Sequence, residues 1–261
     1  MDDLREIIEN VKGIKHTIVV MSGKGGVGKS TISANLAYAL STTGKRVGIL
    51  DADFHGPTIP KLFGMENERM IVNDGRIKPP ASEGIKVVSM ALLLDEDKPV
   101  IWRGPLKMNA LKQLLRDVEW GELDYLIIDL PPGTGDEPLS IAQLIPSDGT
   151  IVVSTPQEVA LMSVRRSMTF ARGVGLDVLG MVINMSYVAC PNCGERIELF
   201  DHSEIEKTLN DFGTRILATL PFSLRVSSDS ERGVPFLKDG LIEKSILEEF
   251  NKLVDEVISG E

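Results

Sequence analysis

Short apolar runs alternate along almost the whole chain with segments whose apolar residues recur every three or four positions. The runs lie at 17–21, 47–50, 85–94, 123–130, 150–154, 178–184 and 216–220. Each is short and bounded by turn residues, so each reads as a buried strand. Helical spacing begins with Leu4, Ile7, Ile8 and Val11, which assign an N-terminal helix within 1–15 that stops at Gly13. It returns at 30–43, where Gly44 supplies the stop, and at 106–118, 137–144, 159–174 and 203–211. A C-terminal amphipathic helix closes the chain over 241–261, its apolar spacing running from Leu241 to Ile258. Strand and helix in this order predict an α/β fold, doubly wound, with a mostly parallel sheet flanked by helices. No repeat, low-complexity tract or linker divides the chain, so 1–261 reads as a single domain. The most loop-like segment is 67–83.

Composition narrows the function classes. The 261 residues carry 38 acidic against 28 basic side chains, a formal charge of −10, which argues against a surface built for nucleic acid. No run approaches the ~18 apolar residues of a membrane span. The first fifteen residues mix Asp2, Asp3, Arg5, Glu6 and Glu9 with apolar ones and lack a signal peptide's core. The expectation is a cytoplasmic protein with neither a nucleic-acid nor a membrane partner. Two cysteines build no disulfide framework, and their C-x-x-C spacing suits a metal or redox site in a reducing compartment.

The strongest chemistry follows the first strand. Gly23-Lys24-Gly25-Gly26-Val27-Gly28-Lys29-Ser30 satisfies G-x-x-x-x-G-K-[ST] in full and precedes a helix that takes in Thr31. Glycines let successive backbone N–H groups turn inward around phosphate oxygens, and the helix adds its positive N-terminal end. Lys29 is placed to reach the β- and γ-phosphates of ATP, and the Ser30 hydroxyl to ligate Mg²⁺. The magnesium site also needs a carboxylate at the end of another strand, which Leu126-Ile127-Ile128-Asp129 supplies, followed by Leu130-Pro131-Pro132-Gly133-Thr134-Gly135 as a γ-phosphate sensor. Asp51 and Asp53 end another strand in the same way. One of them can hold a metal-bound water and the other orient the attacking water, the latter role falling to Asp53. Lys24 adds a second positive charge inside the loop, beside developing negative charge.

Cys190-Pro191-Asn192-Cys193-Gly194 follows the strand that ends at Asn184. Two thiolates at this spacing hold one metal together, yet zinc and iron–sulfur centres usually take four protein ligands. The histidines, His16, His55 and His202, are scattered and do not complete a set. Counting ligands therefore points to a metal bridging two chains across a two-fold axis. A thioredoxin-like redox pair, a zinc clasp and a pair of structural thiols stay open as alternatives.

The K-G-G-V-G-K-S stretch resembles the signature of the deviant Walker A ATPases. That resemblance implies that Lys24 reaches across a nucleotide-sandwich dimer to the partner's phosphates. Over 17–236 the chain resembles the Mrp/ApbC (nucleotide-binding protein) family of iron–sulfur cluster carriers. The stretches that carry this are 50–57, Trp102-Arg103-Gly104-Pro105, 129–136, and Asn184-Met185-Ser186 leading to the cysteine pair. The resemblance implies a P-loop ATPase that forms a homodimer and hydrolyses ATP slowly, as a switch. It further implies a labile 4Fe-4S cluster shared by Cys190 and Cys193 of both chains, in a metal-binding loop at 186–200, and its transfer to apo iron–sulfur proteins. Asn184 is implied to hydrogen-bond the adenine. Three departures stand out. Asp201-His202-Ser203-Glu204 replaces a glycine-rich run, Leu220-Pro221-Phe222-Ser223 lacks an acidic residue, and there is no added N-terminal domain or cysteine cluster. The rival reading is a partition or division-site ATPase with a structural zinc at the C-x-x-C. Such a protein wants a basic terminal helix, whereas Glu243, Glu248, Glu249, Asp255, Glu256 and Glu261 outnumber Lys244 and Lys252 here.

Overall fold

A computed structural model describes residues 2–93, 104–135, 138–139, 143–144, 147–190, 192–193, 195–200, 203–238, 240 and 242–259. The chain opens with α1 (Asp2–Val11), β1 (Ile14–Met21), α2 (Lys29–Thr42), β2 (Val47–Asp51) and α3 (Ile59–Leu62). Four short strands follow: β3 (Ile71–Asn73), β4 (Arg76–Lys78), β5 (Ala81–Ser82) and β6 (Ile85–Ser89). Next come α4 (Gly104–Asp117), β7 (Leu123–Asp129), β8 (Gly149–Ser154), α5 (Glu158–Gly173) and β9 (Val178–Ile183). The last third holds β10 (Tyr187–Ala189), β11 (Arg196–Glu198), α6 (Ser203–Phe212), β12 (Ile216–Thr219), α7 (Leu224–Glu231) and α8 (Lys244–Ser259).

Eight strands form one sheet in the order β12-β9-β8-β1-β7-β2-β6-β5, parallel throughout except for β5, which runs antiparallel to β6. The central strands are buried on both faces, which is why they read as continuous apolar runs instead of alternating ones. Helices cover the sheet, and the core gathers Trp120, Tyr125, Phe236 and Phe250 among its largest buried side chains. Because β1 sits between β7 and β8, the chain leaves it where the winding reverses. The carboxyl ends of β1, β2 and β7 open a crevice there, the usual place for a ligand in such a sheet. The predicted fold class is therefore the observed one.

Several expectations need correction. The strand expected at 85–94 ends at Ser89, whose side chain accepts from the Ala91 N–H at 3.3 Å and starts a 3-10 turn over Met90–Leu92. Residue 94 lies outside the described residues. The supposed loop at 67–83 contains the β3–β4 hairpin, joined by Asp74 and Gly75 at φ 48° and 75°. Both are left-handed, as a tight hairpin turn demands. The loop expected at 186–200 contains a second hairpin, β10–β11. Neither α3 nor α7 was anticipated, because each is short and weakly periodic. Of the helix expected at 137–144, residues 138–139 and 143–144 are described, all helical; the rest lies outside the described residues. Trp102, Arg103, Asp136, Pro191, Gly194, Asp201, His202, Leu241 and Glu261 also lie outside them.

Candidate nucleotide and metal sites

The glycine-rich loop leaves β1 at Ser22 and enters α2 at Lys29. Gly28 sits at the helix's N-cap with φ 85° and offers no side chain to the first-turn N–H groups. Those amides are left for an anion, at the positive end of a 14-residue helix. A Cβ on Gly28 would also stand 2.2 Å from the Asn184 amide nitrogen, so with the left-handed φ any side chain here is strained and must displace Asn184. Gly23 is equally constrained: a Cβ there would meet the Ser163 carbonyl oxygen of α5 at 2.4 Å. The Ser22 hydroxyl donates to the Lys24 carbonyl at 3.0 Å, and the Gly133 N–H to the Ser22 carbonyl at 2.8 Å, which brings the 131–135 loop against the glycine-rich one.

At the foot of the loop Asp129 is fully buried and surrounded by donors. Its Oδ2 lies 2.7 Å from Lys29 Nζ and accepts from Ser30 Oγ at 2.6 Å, while its Oδ1 accepts from Ser33 Oγ at 2.6 Å. Burial this complete is tolerable only because the carboxylate is paired and hydrogen-bonded. Lys29, Ser30 and Ser33 share one face of α2, so a single helix supplies all three. Ser33 was not among the expected site residues. Its signal in the sequence is only its place one turn beyond Lys29 and Ser30.

Asp51 pairs with Asp129 in register across β2 and β7. Burial, and secondarily the charge of Asp129, push its carboxyl up to about 8, opposed by hydrogen bonds from the Ile59 and Asp53 N–H groups and by Lys29. Those N–H groups donate to Oδ2 and Oδ1 at 3.1 Å each, and Ser89 Oγ donates to Oδ2 at 3.4 Å. Asp51 thus staples the feet of the 52–58 segment. Asp53 is freer: its Oδ1 accepts the His55 and Gly56 N–H groups at 3.1 and 3.2 Å, and its side chain borders the cavity.

That cavity encloses about 410 Å³. Gly25, Gly26, Gly28, Lys29, Ser30 and Thr31 form one wall, and Asp53, Gly56 and Pro132 another. Ser22 and Leu62 also line it, as do Thr58 at the N-cap of α3, Lys61 within α3, and Ser227, Ser230 and Glu231 of α7. None of these last five was expected from sequence; the Ser227 and Ser230 pair at helical spacing was their one visible trace. Val27 is buried in the core, and Lys24 is exposed and does not border the cavity. Asn184 does not border it either. Its Nδ2 donates to the Val27 carbonyl at 2.9 Å, and Met185, at φ 54°, turns the chain sharply beside it.

The cysteine pair caps the β10–β11 hairpin, where the Cys190 N–H donates to the Glu195 carbonyl at 2.8 Å. Cys190 is half-buried and Cys193 exposed. Hydrogen bonds to the Cys190 sulfur from the Cys193 N–H, the Asn192 N–H and the Cys193 thiol lower its pKa, with desolvation opposing them. Sulfur cradled by N–H groups at this spacing favours the thiolate, the form that binds metals. Among the described residues no cluster of three or more His, Cys, Asp or Glu could hold a metal ion.

The doubly wound sheet and the complete phosphate loop define a P-loop NTPase of the MinD/ParA-like kind. A family model described as "NUBPL iron-transfer P-loop NTPase" matches residues 13–258, and the chain belongs to this Mrp/NUBPL family of iron–sulfur cluster carrier P-loop NTPases. The iron–sulfur cluster carrier protein of Methanocaldococcus jannaschii is 45% identical over 256 residues, covering 97% of this chain and 87% of that one. The carrier of Saccharolobus solfataricus is 46% identical over 252 residues, covering 95% and 84%. A nucleotide-binding protein from Archaeoglobus fulgidus, solved in complex with ADP, superposes with a TM-score of 0.82 at 40% identity, covering 95% and 96% of the two chains. The cell division ATPase MinD of Pyrococcus furiosus shares the fold, with a TM-score of 0.64 at 20% identity, covering 94% and 98%.

Proposed function

We propose that this protein binds and hydrolyses ATP and carries a 4Fe-4S cluster between two copies of the chain, delivering it to apo iron–sulfur proteins. The observation that carries the proposal is the C-x-x-C knuckle, with Cys193 exposed and Cys190 half-buried, which offers two thiolates where a cluster takes four. Cys190 and Cys193 of two chains complete the set. The relatives are named iron–sulfur cluster carrier proteins, which agrees with the carrier role.

In the nucleotide site, the loop amides of 23–31 and Lys29 bind the phosphates of ATP. Ser30 and Asp129 bring hard oxygen donors within 2.6 Å of one another, a donor set that fits Mg²⁺. Bound there, the ion would neutralise charge on the β- and γ-phosphates. Asp53, bordering the cavity, orients the attacking water. Lys24, exposed outside the cavity of its own chain, is suited to reach the nucleotide of a second copy. Asn184 braces the loop through the Val27 carbonyl, and its adenine-binding role rests on the family resemblance alone. Hydrolysis acts as a switch that biases the dimer between states of different cluster affinity. The amphipathic α8 buries Ile246, Phe250, Leu253 and Val257 against the body of the protein, which speaks against its use as a membrane anchor.

The test separates the two sites. Cys190→Ser and Cys193→Ser should each abolish stable cluster binding after anaerobic reconstitution while leaving ATP affinity unchanged. A stable cluster on the double serine variant would overturn the proposal.

A further inference from the structure

We propose that Lys107 is a positioning residue for ATP hydrolysis, acting through His55 on the segment that carries Asp53; this rests on the reading of Asp53 given above. Lys107 lies in the first turn of α4, outside the phosphate loop, and is only 6% exposed. Burying an ammonium group is costly unless its hydrogens find acceptors. Its Nζ meets the Nε2 of His55, a residue that is itself exposed. A lysine ammonium has only donors, so Nε2 is the acceptor and the proton of the neutral ring sits on Nδ1.

The contact matters because of what His55 is attached to. Its own N–H donates to Asp53 Oδ1 at 3.1 Å, beside the Gly56 N–H at 3.2 Å, so the carboxylate's direction is set by the local turn. Asp51 pins the two ends of that turn, through the Asp53 N–H and the Ile59 N–H. Between those pins, Lys107 holds the His55 side chain to α4. Neither Lys107 nor the His55 ring borders the cavity, so neither touches the nucleotide directly. Losing the tie frees the turn and misdirects Asp53. A displacement of about 1 Å in a catalytic group costs up to about 100-fold in rate.

The experiment compares steady-state ATP hydrolysis, ATP affinity and thermal melting for wild type, Lys107→Met, Lys107→Arg, His55→Ala and the Lys107→Met/His55→Ala pair. Expected is a fall in kcat of about tenfold or more in Lys107→Met, with KM and ATP affinity within about twofold, and partial recovery in Lys107→Arg. His55→Ala, at an exposed position, should give the same fall without disturbing the core. The double variant should be no worse than either single one, because both cut the same tie. Wild-type kcat in His55→Ala, a multiplicative double variant, or a raised KM with unchanged kcat would overturn the proposal. Asp53→Asn, run alongside, separates the two readings. If Asp53→Asn is impaired while His55→Ala is not, only the role of Lys107 falls; if Asp53→Asn turns over at the wild-type rate, the assignment of Asp53 falls and this proposal with it.

Discussion

Lys29 faces two demands that pull on the same side chain. It pairs with buried Asp129 and is also placed for the phosphates, so Lys29→Ala should fail twice. ATP affinity should drop by about 10- to 100-fold, from the loss of a charged hydrogen bond. The uncompensated carboxylate should cost about 3–5 kcal/mol of stability, visible in urea unfolding. Lys24→Ala, at an exposed position, should bind ATP nearly as wild type and hydrolyse it poorly. Mixed dimers carrying one lysine variant on each chain report whether Lys24 acts in trans. Asp53→Asn should bind Mg-ATP normally and lose about 100-fold or more in kcat, whereas Asp129→Asn should weaken binding only when magnesium is present. Acid stability has a separate source in Asp124. Hydrogen bonds from the Arg46 side chain and N–H, with Lys15, hold its carboxyl well below the usual range. A lowered folded-state value means the stabilisation is full above the unfolded value of about 4 and fades as pH falls below it. Solvent around Lys15 and Arg46 limits it to about 1 kcal/mol, so Asp124→Asn should flatten the acid limb of a pH–stability curve by that amount.

Elements differ in how openly the sequence announces them. The central strands and α2 were legible because burial on both faces writes an unbroken apolar run, and because the phosphate loop is contiguous. The β3–β4 and β10–β11 hairpins were missed, since strands of three residues leave no period to read. Asp74-Gly75 is the only local sign of the first. Ser33, Lys61, Ser227 and Ser230 reach the site only through tertiary folding, by facing Asp129 or the cavity across long sequence separations. Their local traces, Ser33 one turn beyond Lys29 and Ser30 and the helical spacing of Ser227 and Ser230, do not by themselves point to a site. The C-terminal helix was legible as amphipathic, and its packing supplies a prediction. Phe250 is fully buried and meets Phe236 edge-to-face, with ring centroids 5.1 Å apart. Phe250→Ala should cost about 3–5 kcal/mol in urea unfolding, with ATP affinity per folded molecule unchanged.

At the scale of the whole molecule, the two chemistries sit on separate parts of one chain. The phosphate loop hangs from the centre of the sheet, and the cysteine hairpin follows β9, with Asn184 and Met185 as the link between them. Asn184 touches the loop through Val27, and three residues later the chain enters β10 on its way to Cys190. Under the proposed function, that short connection is a route from the nucleotide to the cysteine pair. The central claim, however, is one of counting: two thiolates per chain and one cluster per pair of chains. Its most direct test is iron and acid-labile sulfide analysis of the anaerobically reconstituted protein, with molar mass measured on the same fractions. About four irons and four sulfides are expected for each pair of chains, eluting as a dimer. Four irons and four sulfides on an isolated single chain, or stoichiometric zinc with no uptake of iron, would contradict it.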